Sequence, residues 1–193
     1  VGKETAEALR EKLIVAIKGL RIGNSTDEQA HYGPVINAAH RSKIESYIQI
    51  GVEEGAELVL DGRGFSLAGS EDGYFLGPSL FDHVTEGMQT YREEIFGPVL
   101  QIVRADSFEQ ALELASKHQY GNGVAIFTRN GDAAREFADR VEVGMVGINV
   151  GILATEHVPF GGVKQSGLGR EGSHFGMDDY VEIKYLCIGD IQS

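Results

Sequence analysis

The sequence holds a single cysteine, Cys187, so no disulfide can form within it. A reducing compartment is the natural setting, the cytoplasm or, as the alternative, the mitochondrial matrix. No apolar run reaches the ~20 residues that a membrane-spanning helix needs. The longest one, Val143 to Ala154, is broken by three glycines. No signal-peptide layout opens the chain, and without a secretory context the triplet Asn24-Ser25-Thr26 reads as a loop and not as a glycosylation acceptor. Basic clusters are lacking as well. Lys and Arg number 17 against 29 Asp and Glu, and the net charge of -12 repels phosphate backbones and anionic lipid. Nucleic acid and membrane surfaces are therefore not expected partners. The six histidines, at positions 31, 40, 83, 118, 157 and 174, show no paired spacing. With no second cysteine, no metal site is expected. There is no Gly-x-Ser-x-Gly nucleophile elbow, internal repeat or low-complexity tract.

What remains is an ordinary globular composition, 42% apolar and 24% charged over 193 residues. That length suits one domain on the usual scale of about 100–200 residues. The chain opens on Val1 and enters a helical pattern almost at once, which reads as a start inside a larger protein. Ala6, Leu9, Leu13, Ile17 and Leu20 recur every three or four residues and predict a helix over 4–20. A second helix is expected over 36–54, with Ile44, Tyr47, Ile48 and Val52 on one side. Strands are expected at 57–60, 99–103, 124–128 and 143–150, and helices at 107–118 and 131–141. Asp106 and Glu109 have the spacing of a capping box at the first of these helices. Strand and helix alternate at βαβ lengths through 99–150. The expected fold class is therefore α/β: an open, mostly parallel twisted sheet flanked by helices, with a C-terminal β-strand arm. That arm is 180–188, where Val181, Ile183, Tyr185 and Cys187 alternate with polar residues. A lone terminal strand with one apolar face must pair within the chain or with another chain.

Three features could carry chemistry. Gly167, Gly169 and Gly172 match the dinucleotide fingerprint Gly-x-Gly-x-x-Gly. That motif needs a strand before it, a helix behind it and an acidic residue some 20 positions on. None of this is in place, so the segment reads as a glycine turn. Glu94 and Phe96 precede Gly97-Pro98, and Pro98 favours extended backbone before it. If both residues are extended they project to the same side, where a carboxylate and an aromatic plate suit a ribose and its planar base. On spacing alone, a surface Glu beside a core Phe is the commoner outcome. Cys187 lies on the apolar side of its alternating segment and reads as a buried small hydrophobe, not as a nucleophile.

Five blocks then resemble the aldehyde dehydrogenase superfamily, in order. They are Gly73-Tyr74-Phe75-Leu76-Gly77-Pro78, Tyr91-Arg92-Glu93-Glu94-Ile95-Phe96-Gly97-Pro98-Val99, Gly121-Asn122-Gly123-Val124-Ala125-Ile126-Phe127-Thr128, Gly147-Ile148-Asn149-Val150, and Pro159-Phe160-Gly161-Gly162-Val163-Lys164-Gln165-Ser166-Gly167-Leu168-Gly169-Arg170-Glu171-Gly172. Residues 1–150 look most like methylmalonate-semialdehyde dehydrogenases, and 158–190 more like succinate-semialdehyde dehydrogenases.

The resemblance implies an NAD- or NADP-dependent oxidoreductase acting on a short carboxylated aldehyde through a cysteine thioester, released to water or, in some members, to coenzyme A. It implies that the nucleophilic cysteine and the general-base glutamate lie upstream, leaving no catalytic residue in this chain. Glu94 matches the glutamate on the nicotinamide ribose, and Phe96 the aromatic near the nicotinamide. Asn149 matches a position near the active site. Phe160 matches an aromatic of the aldehyde tunnel, and 151–158, with Thr155 and His157, a substrate-selecting segment. The implied organisation is an incomplete catalytic domain over 1–165, a return segment over 166–178 toward a cofactor domain, and an oligomerisation strand and tail over 179–193. Expected partners are the aldehyde, the N-terminal remainder of the enzyme, and further copies in a dimer or tetramer through 180–188. The competing expectation is a non-catalytic folded module for assembly or binding.

Overall fold

The computed structural model describes residues 1–151 and 154–190. Its elements are α1 (Lys3–Lys18), α2 (Ala38–Glu53), β1 (Glu57–Leu60), β2 (Ser79–Asp82), α3 (Gln89–Arg92), β3 (Val99–Gln101), α4 (Phe108–Lys117), β4 (Tyr120–Gly121), β5 (Gly123–Ile126), α5 (Gly131–Arg140), β6 (Met145–Ile148) and β7 (Val163–Lys164), followed by a 3-10 turn over Phe175–Tyr180. The chain divides into two compact units, Val1–Ala111 and Leu112–Ser193.

The first unit is organised around β2. All four of its residues are buried, and it pairs antiparallel with β1 and parallel with β3. Helix α2 starts at Asn37, whose side chain accepts the His40 N–H at 2.8 Å and so satisfies one of the free amides of the first turn. The helix buries Ile44, Tyr47 and Ile48 against Leu76, Phe81, Val84 and Ile95. This cluster contains the largest fully buried side chain, Phe81.

One charge is buried with it. Asp82 is fully buried and accepts from Arg104 Nε at 3.0 Å, from Arg104 Nη2 at 2.6 Å and from the His83 N–H at 2.7 Å. Arg104 also meets Glu7 at 2.6 Å, while Arg10 lies 3.6 Å from Asp82 and bonds Glu57. The hydrogen bond from Arg104 holds the Asp82 carboxyl below its usual value, against the opposing effect of burial. Glu57, Asp82 and His83 lie close enough to share a cation, yet both Asp82 oxygens are already taken by Arg104.

The second unit has two small sheets, β4 with β7 antiparallel and β5 with β6 parallel. Helix α5 starts at Asn130, whose side chain accepts from the Asp132 and Ala133 N–H groups. Lys164, in left-handed backbone, donates to the carbonyls of Ser116 and His118 at the end of α4.

The α/β class expected from the sequence is the one adopted, and α1, α2, β1 and α5 lie where the periodicity put them. Parallel pairing is present too, though in separate small sheets, since β3 joins β2 and β1 while β5 pairs with β6. The start of α4 is shifted by one residue. Ser107 Oγ accepts the Gln110 N–H at 3.1 Å and Gln110 reaches back to the Asp106 N–H, so Ser107 and Gln110 do what was expected of Asp106 and Glu109. Residues 181–190 form no strand. Their alternation is real, but no ladder partner for them exists among the described residues. Cys187 is accordingly exposed, not packed in a sheet.

Candidate functional site

In the first unit the candidate residues sit on the turn that leaves α3. The two adjacent glutamates are treated differently. Glu93 accepts the Tyr47 hydroxyl from α2, and that hydrogen bond lowers its pKa from the usual carboxylate value. Glu94 is exposed, with no hydrogen bond or ion pair among the described residues. Ile95 turns inward and joins the core at 7% exposure, which leaves Glu94 and Phe96 on the outside of the same turn. Phe96 is 66% exposed, a large apolar area to leave in water.

Phe96 is not extended. Its φ is 56°, a left-handed value that costs a non-glycine residue about 1–3 kcal/mol. The next residue runs close against α2: a Cβ on Gly97 would stand 2.5 Å from Ile44 Cδ1, so any side chain there would displace the buried Ile44. Also facing this turn is His40, on the first turn of α2, with its ring centroid 6.1 Å from that of Phe96. The buried Nδ1 of His40 has no hydrogen-bond partner among the described residues. Sequence reasoning missed this residue because it treated the histidines only as metal ligands. The signal available was the helical face, since His40, Ile44 and Tyr47 share one side of α2.

The second unit holds the other candidates. Asn149 closes the β5–β6 pair. Its Oδ1 accepts the Thr128 N–H at 2.9 Å, its Nδ2 donates to the Thr128 carbonyl at 3.0 Å, and its own N–H donates to Ile126 at 2.8 Å. Both ends of the amide are committed, and φ is 56°. The arrangement fixes a strand end and leaves little capacity for chemistry. Beyond it, Ile152 and Leu153 of the segment 151–158, for which the resemblance implies substrate selection, lie outside the described residues. Thr155 and His157 are exposed, and His157 Nε2 lies 3.3 Å from the neighbouring Glu156. Phe160 is half-buried and exchanges two backbone hydrogen bonds with Glu171, at 2.8 and 2.7 Å. The glycine run that imitates a dinucleotide fingerprint is a succession of turns, with φ of 111°, 78° and 67° at Gly167, Gly169 and Gly172. The structure thus brings Glu94 and Phe96 together on one unit, and places Asn149, Thr155, His157 and Phe160 on the other.

Comparison with known proteins identifies the class. Residues 1–186 match the aldehyde dehydrogenase family, and the chain belongs to it. The malonate-semialdehyde dehydrogenase of Pseudomonas aeruginosa is 53% identical over 167 residues, covering 86% of this chain and 34% of that protein. The mitochondrial succinate-semialdehyde dehydrogenase of Oryza sativa subsp. japonica is 40% identical over 185 residues, covering 96% of this chain and 34% of that protein. Among solved structures, a chain described as a methylmalonate-semialdehyde dehydrogenase from Sinorhizobium meliloti, complexed with NAD, is 50% identical with a TM-score of 0.87, covering 92% of this chain and 37% of that one. Both kinds of enzyme that the sequence blocks resemble are therefore among its relatives. The chain spans about a third of the length of the curated relatives it matches.

Proposed function

We propose that this chain is the C-terminal portion of an NAD- or NADP-dependent semialdehyde dehydrogenase, whose activity belongs to the longer polypeptide. Family membership and the names of the relatives support the reaction class. The observation that carries the reading is the split between adjacent carboxylates. Glu93 is tied to Tyr47, whereas Glu94 stands exposed beside an exposed, constrained Phe96. An ionised carboxylate has two oxygens and several lone pairs, enough to accept from both vicinal hydroxyls of a ribose. An aromatic face held next to it suits the planar ring attached to that ribose. These residues fit the nicotinamide half of a dinucleotide, which when bound supplies the hydride acceptor.

In this reading Glu94 grips the ribose and Phe96 limits where the ring can lie. Phe160, Thr155 and His157 shape the aldehyde site, and Asn149 secures the strand end next to it. The nucleophilic cysteine and the base glutamate belong to upstream sequence. The cysteine thiolate would add to the aldehyde carbonyl to give a thiohemiacetal; with the dinucleotide bound as hydride acceptor, loss of hydride from that carbon would leave a thioester, whose acyl group passes to water or to coenzyme A as the thiol is released. Residues 1–165 then complete a catalytic domain, 166–178 return toward the cofactor domain, and 179–193 serve assembly. The exposed row Val181, Ile183, Tyr185 and Cys187 supports a homo-oligomer, a dimer or tetramer, built by pairing 180–188 with another copy. A single free thiol suits the cytoplasm.

The test is Glu94→Gln in the longer enzyme. Losing one or two charged hydrogen bonds, about 1.5–3 kcal/mol each, should raise the coenzyme KM or Kd by at least roughly tenfold. Glu93→Gln should change coenzyme handling far less. Equal coenzyme constants for Glu94→Gln and the parent would remove the ribose contact from the reading.

A further inference from the structure

The segment 155–160 does not hold its own shape. It has one internal backbone hydrogen bond, from the Val158 N–H to the Thr155 carbonyl at 3.4 Å, at the long end of the useful range. The Thr155 hydroxyl adds a contact of 3.5 Å to the His157 N–H. Stronger contacts come from residues 171–173. Phe160 and Glu171 exchange two short backbone hydrogen bonds, and the Ser173 N–H donates to the Glu156 carbonyl at 3.1 Å. Between these two ties lies Gly172, with φ +67°. A Cβ at Gly172 would stand 3.0 Å from the Val158 carbonyl oxygen and 3.5 Å from that of Glu156. Ser173 follows at φ 49°, so two consecutive left-handed residues bend the return strand against the segment. The two sides touch through backbone atoms, and the obstacle to a side chain at 172 is peptide oxygen, which cannot swing away as a side-chain end can.

We propose that Gly172 and Ser173 are positioning residues for aldehyde selection. They set the path of 155–160, and through it the placement of Thr155, His157 and Phe160, without touching the aldehyde themselves. The inference rests on the reading of those three residues as the aldehyde-facing group. Its physical content is separate, because it assigns control of that group to a turn outside it. A Cβ at 172 would press on the Val158 carbonyl oxygen at 3.0 Å, which must give by a few tenths of an ångström, while the Glu156 oxygen at 3.5 Å would be in ordinary contact; the side chains carried by that peptide shift with it. Discrimination between aldehydes that differ by one methylene depends on such placement and is on the order of 10–200-fold in apolar pockets.

The experiment uses the longer enzyme with malonate semialdehyde and succinate semialdehyde as probes. For Gly172→Ala, the ratio of kcat/KM between the two aldehydes should change on the order of tenfold. It should do so through the aldehyde KM, with the coenzyme KM within about twofold of the parent. A merely structural defect would lower the apparent kcat for both aldehydes with the amount of folded protein and would leave the KM values and the ratio alone. Phe160→Ala is measured alongside. If Phe160→Ala shifts the ratio and Gly172→Ala does not, the positioning role is overturned and the aldehyde-facing reading stands. If neither shifts it, the aldehyde-facing reading itself falls. Should Gly172→Ala prove poorly folded, Gly172→Asn decides between the same outcomes, since Asn tolerates left-handed backbone while still carrying the Cβ.

Discussion

The two units bury their apolar residues to very different degrees. In Val1–Ala111 the buried set includes Ile44, Ile48, Leu76, Leu80, Phe81, Val84, Ile95 and Ile102, whereas in Leu112–Ser193 the buried hydrophobics among the described residues are Leu112, Ala134, Phe137 and Val141. The same second unit leaves Phe127 69%, Leu168 99%, Ile183 100% and Tyr185 86% exposed. Composition does not explain this, because β-branched and aromatic residues are plentiful in both. The first unit has the larger core and pairs its buried carboxylate, Asp82, with Arg104. The second leaves more of its large apolar residues in contact with water. Exposed apolar patches on this scale mark contact surfaces in soluble proteins.

The largest effect should come from cutting into the larger core. Phe81→Ala should cost about 3–5 kcal/mol, and Phe137→Ala in the thinner second core should cost less, because loosely supported sites collapse more readily around a deletion. Peptide-resolved hydrogen exchange reads each unit separately. An equal or larger loss at Phe137 would break the contrast.

Next is the buried ion pair. The folded-state pKa of Asp82 is lowered, so its ionised form stabilises the first unit at any pH above the unfolded value, about 3.9. That contribution is lost as pH falls through the lower folded-state value. Asp82→Asn should cost about 3 kcal/mol at neutral pH, since it leaves Arg104 without its buried partner. It should also flatten the acid limb of the stability curve. An acid limb with the parent's slope would show that other carboxylates set it. The smallest effect should follow removal of 181–193. With no ladder to lose over the described residues 181–190, the stability of either unit should move by no more than about 0.5 kcal/mol in a urea titration. A larger drop would mean that the tail supports the unit it leaves.

Local pattern was enough to locate these helices, because α1, α2 and α5 carry a stripe every three or four residues, and α2 and α5 also start at the capping side chains of Asn37 and Asn130. It failed for β2. Ser79-Leu80-Phe81-Asp82 is buried on both faces, so it shows no alternation, and it ends on a charge that is tolerated only because Arg104 arrives from far along the chain. The same limit applies at the candidate site. Glu94 and Phe96 were legible as a carboxylate beside an aromatic, but no spacing rule contains the left-handed φ of Phe96 or the approach of Gly97 to Ile44, 2.5 Å for the missing Cβ. His40 became visible as a neighbour of Phe96 only once α2 had been placed. The strand expected at 180–188 shows the converse, since alternation specifies a strand's faces and not its partner.

The single thiol also has a practical use. Cys187 is exposed on a segment that has no backbone partner, and every other residue of the chain is silent toward thiol reagents. A maleimide dye or nitroxide attached there would label one site without any engineered substitution. Its accessibility would then report directly when that segment becomes covered, turning the row of side chains around it into an optical or magnetic gauge of assembly.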